Sequence, residues 1–206
     1  MALRTTLSCC VYAALAVLAA CESSSSTAPP GGPRVFVGEV AGSDARVGVV
    51  ATDHNARIFF CGGPASYVGM THWIPSAPID AHGGIAQPAD GAGWIVEGQV
   101  AALGASGTVT VPGGASFSFH ADPVAKDTAA GLYEAVGPCG KVGLIVTQGS
   151  SGDTAEAQGA CVPSSGMADP EQVNPLFPIE RAADGTISVD ASGARVLVHA
   201  ALPPAE

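Results

Sequence analysis

The chain has 206 residues, 18 acidic against 8 basic side chains, a net charge of −10 and 47% hydrophobic residues. Charged residues make up 13%, about half the usual share, while 27 Gly and 16 Pro come to roughly a fifth of the chain against about 12% in an average protein. This excludes a collagen, a coiled coil, a charge-rich disordered chain and a basic nucleic-acid binder, and leaves a small apolar fold with many turns.

Met1 to Arg4 carries one positive charge, and Thr5 to Ala20 follows with none, running through Val11, Leu15, Val17 and Leu18. These 16 residues are short for a spanning helix, which needs about 20, and suit the apolar region of a secretory signal. The segment ends Leu18-Ala19-Ala20-Cys21. Small residues ahead of a Cys resemble the lipobox of bacterial lipoproteins, with all four positions matched. The resemblance implies a signal peptide over 1–20, a diacylglyceryl thioether on the Cys21 sulfur, and acylation of the new amino terminus. Residues 21–33, rich in Ser, Pro and Gly, cannot bury anything and read as a flexible tether of about 20 Å r.m.s.. One fatty chain binds a membrane only marginally, whereas two or three hold it stably. Loss of Arg4 leaves 7 basic against 18 acidic groups, a net charge of −11. Such a domain is repelled by nucleic acid and by anionic headgroups. The expected placement is the cell envelope, lipid-anchored and facing the periplasm or the exterior.

From residue 34 to 202 short β-branched runs alternate with Gly, Pro, Asn and Asp clusters. Strands are predicted over 34–41, 45–52, 56–61, 69–74, 94–101, 107–112, 115–121, 131–136, 141–148, 155–162, 186–190 and 194–200. Short turns such as Asp53-His54-Asn55 and Pro112-Gly113-Gly114 make neighbouring strands antiparallel. Phe117 and Phe119 oppose Ser116, Ser118 and His120; Val96 and Val100 oppose Glu97 and Gln99. One dry and one wet face per strand predicts an all-β fold, a single antiparallel β-sandwich or barrel of about 10–12 short strands. Val142, Leu144, Ile145 and Val146 break the alternation, so that strand is expected to be covered on both faces. A weak repeat, offset by 59 residues, relates the stretch from Val37 to Phe60 to that from Val96 to Phe119, each reading as a three-stranded meander. Residues 75–93 and 163–178, rich in Pro, read as long loops.

Val37-Gly38-Glu39-Val40-Ala41-Gly42-Ser43-Asp44, Phe60-Cys61-Gly62-Gly63, Phe119-His120-Ala121 and Gly131-Leu132-Tyr133-Glu134-Ala135 occur in that order. The series resembles a group of exported, β-rich bacterial proteins with no assigned activity, over about residues 35–148. The group carries a basic residue where Glu134 stands here, and a Tyr near Phe59-Phe60. The resemblance implies a fold and assigns no catalytic residue.

Of the six Cys, Cys9 and Cys10 leave with the signal and Cys21 takes the lipid. Among the remaining three, Cys139 and Cys161 are expected to form a disulfide, because 141–148 and 155–162 read as two arms of one hairpin that brings both thiols to the same end. Cys61 is then a packed core thiol. Zinc-ligand spacings are absent, so no metal or other cofactor is expected.

Hydrolase, P-loop and dinucleotide signatures are also absent. Gly149-Ser150-Ser151-Gly152-Asp153 reads as a hairpin loop rather than a protease serine loop. The best polar cluster is His72, Trp73, Asp80, His82 and Trp94, the candidate ligand-binding residues around the first long loop. The plainer reading makes Trp73 and Trp94 core anchors and His72 a surface residue. Function is therefore expected to be non-catalytic: a membrane-anchored envelope or surface interaction module for a protein or glycan partner. The alternative is a secreted small-ligand carrier or hydrolase with a site near His72, Asp80 and His82. A polar barrel interior would favour the carrier, and a filled apolar interior the interaction module.

Overall fold

The structure, a computed structural model, describes residues 33–125, 127–148, 155–164 and 168–203. The expected signal peptide, Cys21, nearly all of the expected tether and residues 149–153, read as a hairpin loop, lie outside these residues. Eight strands come first: β1 (Arg34–Val40), β2 (Arg46–Ala51), β3 (Asn55–Cys61), β4 (His72–Pro78), β5 (Gly84–Gln87), β6 (Ile95–Ala101), β7 (Gly104–Thr110) and β8 (Ser116–Pro123). Six follow: β9 (Gly131–Gly137), β10 (Gly140–Gln148), β11 (Ala155–Val162), β12 (Glu171–Pro175), β13 (Ile187–Ala191) and β14 (Ala194–Ala200).

The expected antiparallel all-β architecture forms, divided between two barrels rather than held in one. β1 to β8 run as one meander, and β8 returns to β1 with Val37 opposite Asp122 and Glu39 opposite His120. Between β4 and β5 the ladder shrinks to the bridge Ile79–Ile85, so this barrel is nearly closed. β9 to β14 make a second meander, closed where His199 of β14 meets Glu134 of β9. Closure matters because an open strand edge leaves a row of unpaired backbone groups.

Side-chain alternation fills both interiors. In the first barrel Phe36, Val47, Ile58, Phe60, Ile74, Val96, Val109 and Phe119 point inward and are buried. In the second, Tyr133, Val142, Leu144, Val146, Cys161, Ile187, Val189 and Val198 do so. The tight β7–β8 turn depends on Gly113 and Gly114, whose φ angles of 96° and 89° side-chain-bearing residues rarely adopt. The two meanders related by the weak repeat correspond to β1–β3 and β6–β8.

A third cluster joins the barrels. Val37, Val50, Phe59, Cys61 and Trp73 from the outside of the first meet Leu132, Ile145, Ala160 and Ala201 of the second. Phe59 stacks on Trp73 with ring centroids 4.3 Å apart. Gly143 makes this approach possible, since a Cβ there would lie 2.5 Å from the Phe59 ring and 2.8 Å from the Trp73 ring. The run from Val142 to Val146 is buried throughout because its inner side faces its own barrel and its outer side faces the other.

Two expectations need correction. The stretches 75–93 and 163–178, read as loops, contain the end of β4, all of β5, and β12. β5 is four residues long with one buried side chain, Ile85, and β12 buries only Val173. Alternation needs several turns of the pattern to register, and neither strand supplies them. The strand expected over 69–74 starts later and passes through Pro75 to Pro78, a tolerable place for proline because the seam leaves β4 an edge.

Candidate functional site

His72 opens β4 directly opposite Phe60, so its ring lies toward the barrel mouth. It stacks on Trp94 at 4.7 Å between centroids with a 10° interplanar angle, and Trp94 lies 6.0 Å from Phe60. His72 Nε2 is 2.6 Å from Asp90 Oδ2. The other Asp90 oxygen accepts from the Ala92 and Trp94 amides at 2.9 and 3.0 Å. Burial pushes the Asp90 carboxyl up, but the Trp94 amide, the His72 ring and the Ala92 amide together outweigh it and hold the group below the ordinary carboxylate range.

This pair has a clear mechanical role. β4 and the β5–β6 connection flank the weak seam, and His72–Asp90 fastens them beyond the Ile79–Ile85 bridge. A carboxyl depressed on folding stabilises the fold above its unfolded value of about 3.9, and that contribution disappears as pH falls through the lower folded value. Asp90→Asn is therefore expected to cost about 1–2 kcal/mol at pH 6, and to narrow the gap to the parent protein at pH 3. Urea midpoints at the two pH values check this; an equal gap at both would remove the carboxylate from the account.

The other predicted residues go elsewhere. Trp73 points out of the barrel onto Phe59, with Lys141 Nζ 4.0 Å above its ring. Asp80 lies past the far end of β4, on the order of 25 Å along the strand from His72. Its Oδ1 accepts from the His82 and Gly84 amides at 2.7 and 2.8 Å. The Gly84 and His82 amides hold Asp80 below the ordinary range, and the turn they make delivers the chain into β5. His82 itself is exposed. The five candidates thus divide into a latch at one end of the seam, a turn at the other, and a barrel–barrel contact. Asp90, which completes the latch, reads in sequence only as a turn residue.

A cleft of about 780 Å³ lies between the barrels. Its charged lining comes from Glu39 of β1, Arg46 of β2, His120 and Asp122 of β8, and Glu156 of β11. Arg46 reaches across it to Glu156 at 2.5 Å and to the Thr147 hydroxyl. His120 and Asp122 are 3.2 Å apart and both exposed. Ser118 shares their face of β8 and lines the same cleft, but the strand spacing of about 7 Å between alternate residues places the three in a line rather than around one atom.

The expected Cys139–Cys161 disulfide is formed, with Cα atoms 6.1 Å apart. Cys61 is a buried free thiol in the inter-barrel cluster. Burial pushes its pKa up to about 12, which makes it a poor nucleophile at neutral pH. Among the described residues no three His, Cys, Asp or Glu side chains are placed to hold a metal, and no helix is long and apolar enough to cross a membrane.

No protein-family model matches the chain, and neither a curated protein nor a solved structure matches it.

Proposed function

We propose that this protein is a lipid-anchored, non-catalytic module of the bacterial envelope that engages a protein or glycan partner through its outer surface. The observation that carries the reading is the state of the barrel interiors. Small-molecule carriers of this architecture keep an open lumen, whereas here Phe36, Ile58, Phe60 and Ile74 fill the first barrel and Leu144, Ile187 and Val198 the second. Binding is left to the exterior, where the inter-barrel cleft offers a recess lined by Glu39, Arg46, His120, Asp122 and Glu156. The anchor rests on the lipobox resemblance at Leu18-Ala19-Ala20-Cys21. The carrier or hydrolase alternative has less support, since His72 is engaged by Asp90 and lies far along β4 from Asp80 and His82.

Cell fractionation tests the anchor. The parent protein is expected in the membrane pellet and to leave it only with detergent. Cys21→Ala is expected in the soluble fraction. A Cys21→Ala protein that still sediments with membranes, or a mature amino terminus that mass spectrometry finds unacylated, would overturn the reading.

A further inference from the structure

The outer face of the second barrel carries an apolar stripe that nothing among the described residues covers. Leu176, just past β12, donates its amide to the Ser188 carbonyl at 3.2 Å. Ser188 pairs with Leu197. The β14–β9 register, His199 with Glu134 and Ala200 with Tyr133, continues to place Leu197 beside Val136. Leu176, Leu197 and Val136 therefore lie in one row across four strands, interrupted on β13 by Ser188, whose hydroxyl accepts from the Arg195 guanidinium at 2.8 Å, and Phe177 follows Leu176 in the chain. Leu176, Leu197, Val136 and Phe177 are 40%, 54%, 89% and 77% exposed. Outward positions on this barrel elsewhere are either polar or, like Leu132 and Ile145, covered by the first barrel.

We propose that this stripe rests on the lipid bilayer and orients the domain there. The inference builds on the lipid anchor at Cys21 proposed above. Three observations select lipid over another occupant. The exposed area is on the order of 500 Å², the upper range for a monomer's largest apolar patch but short of the roughly 800 Å² per partner of a stable protein interface. The tether from Cys21 to Pro33 spans about 20 Å r.m.s., so an anchored domain is never far from the headgroups. The charges beside the stripe are not an excess of carboxylates: Lys141 is opposite Val136 and pairs with Glu134, and Arg195 donates to the Ser188 hydroxyl within the row. The rest of this strongly acidic surface is repelled by phosphate headgroups, and this patch is not. A few large apolar side chains dipping into the interface roughly 5–10 Å deep suit a contact too weak to bind alone and strong enough to set orientation once the anchor holds.

The test uses the full-length mature, lipidated protein in phosphatidylcholine vesicles. Phe177→Trp places an exposed indole next to Leu176 in the chain, and the native Trp73 and Trp94 are buried. The expected result is flotation with the vesicles, a blue-shifted emission for the introduced indole, and about twofold stronger quenching by lipid labelled near the headgroups than by lipid labelled near the midplane, as the shallow depth requires. Adding Leu197→Glu is expected to abolish the quenching while flotation persists. Flotation with an unquenched indole would overturn the stripe and leave the anchor standing. An unquenched indole accompanied by a concentration-dependent dimer would overturn it in favour of a second copy. A parent protein that fails to float would remove the anchor and the stripe together.

Discussion

Glu134→Ala is expected to lower the unfolding free energy by about 3 kcal/mol. Glu134 is 8% exposed, on the outer face of β9 where the barrels meet. Its Oε1 is 2.5 Å from Arg57 Nη1 and its Oε2 is 2.8 Å from Lys141 Nζ. The Leu202 amide donates to Oε1 at 3.4 Å. Truncation leaves two cations beside an apolar interface with no carboxylate. Losing one member of a buried pair costs about 3–5 kcal/mol; the lower end applies because Lys141 is a third exposed and also holds its place over Trp73. Replacing both partners together, Glu134→Leu with Arg57→Leu, is expected to recover most of the loss, since neither charge is then buried alone. Glu134→Arg sets three cations together and is expected to be worse than Ala, with Arg57→Glu restoring part of it. Urea unfolding followed by Trp fluorescence reports directly, because Trp73 lies in the interface. A loss below about 1 kcal/mol would class the pair with exposed ion pairs.

The same interface marks where sequence reasoning stops. Alternation at Phe117–Phe119 and Val96–Val100 identifies inward faces correctly, because a strand with one wet side advertises it. The unbroken apolar run in β10 announces a strand covered twice. Yet nothing local says what covers it. Val50, Phe59 and Trp73 read like any other buried residues, and only the return of β8 to β1 and of β14 to β9 divides the strands into two barrels. Those pairings are long-range and carry no motif. β5 and β12 disappear among prolines because each buries one side chain. The candidate site was legible in composition and not in geometry. His72 and Trp94 do meet, but Trp73, next in sequence to His72, points to the opposite side of the strand, as its period of two dictates. Asp90 precedes a Gly and reads as a turn residue, and its Oδ1 accepts from the Ala92 and Trp94 amides of that turn; its second oxygen reaches a histidine 18 positions away.

Opening the Cys139–Cys161 bridge is expected to loosen the second barrel far more than the first. The two residues are 22 positions apart, and a loop of that length contributes about 3 kcal/mol through the restricted unfolded chain. The bridge ties the β9–β10 turn to β11 where Cys161 faces Val142 inside the barrel. The second barrel needs such a tie more than the first. It spans about 70 residues, a size at which a core alone is marginal, and among the described residues its core contains one aromatic ring, Tyr133, against Phe36, Phe60, Trp94 and Phe119 of the first, with Phe117 packed on them. Cys139→Ala removes the bridge from the partly exposed side and keeps the Cys161 side chain in the core. Amide hydrogen exchange is expected to quicken roughly 100-fold across β9–β14, the equivalent of about 3 kcal/mol, and by much less across β1–β8 away from the shared interface. Cys61 provides an internal control, since its thiol is buried in the inter-barrel cluster: it should resist alkylation at pH 8 as long as the barrels stay joined. Uniform acceleration in both barrels, with Cys61 becoming reactive, would mean that they unfold as one cooperative unit and that the interface around Phe59 and Gly143 binds them more tightly than the bridge binds the second.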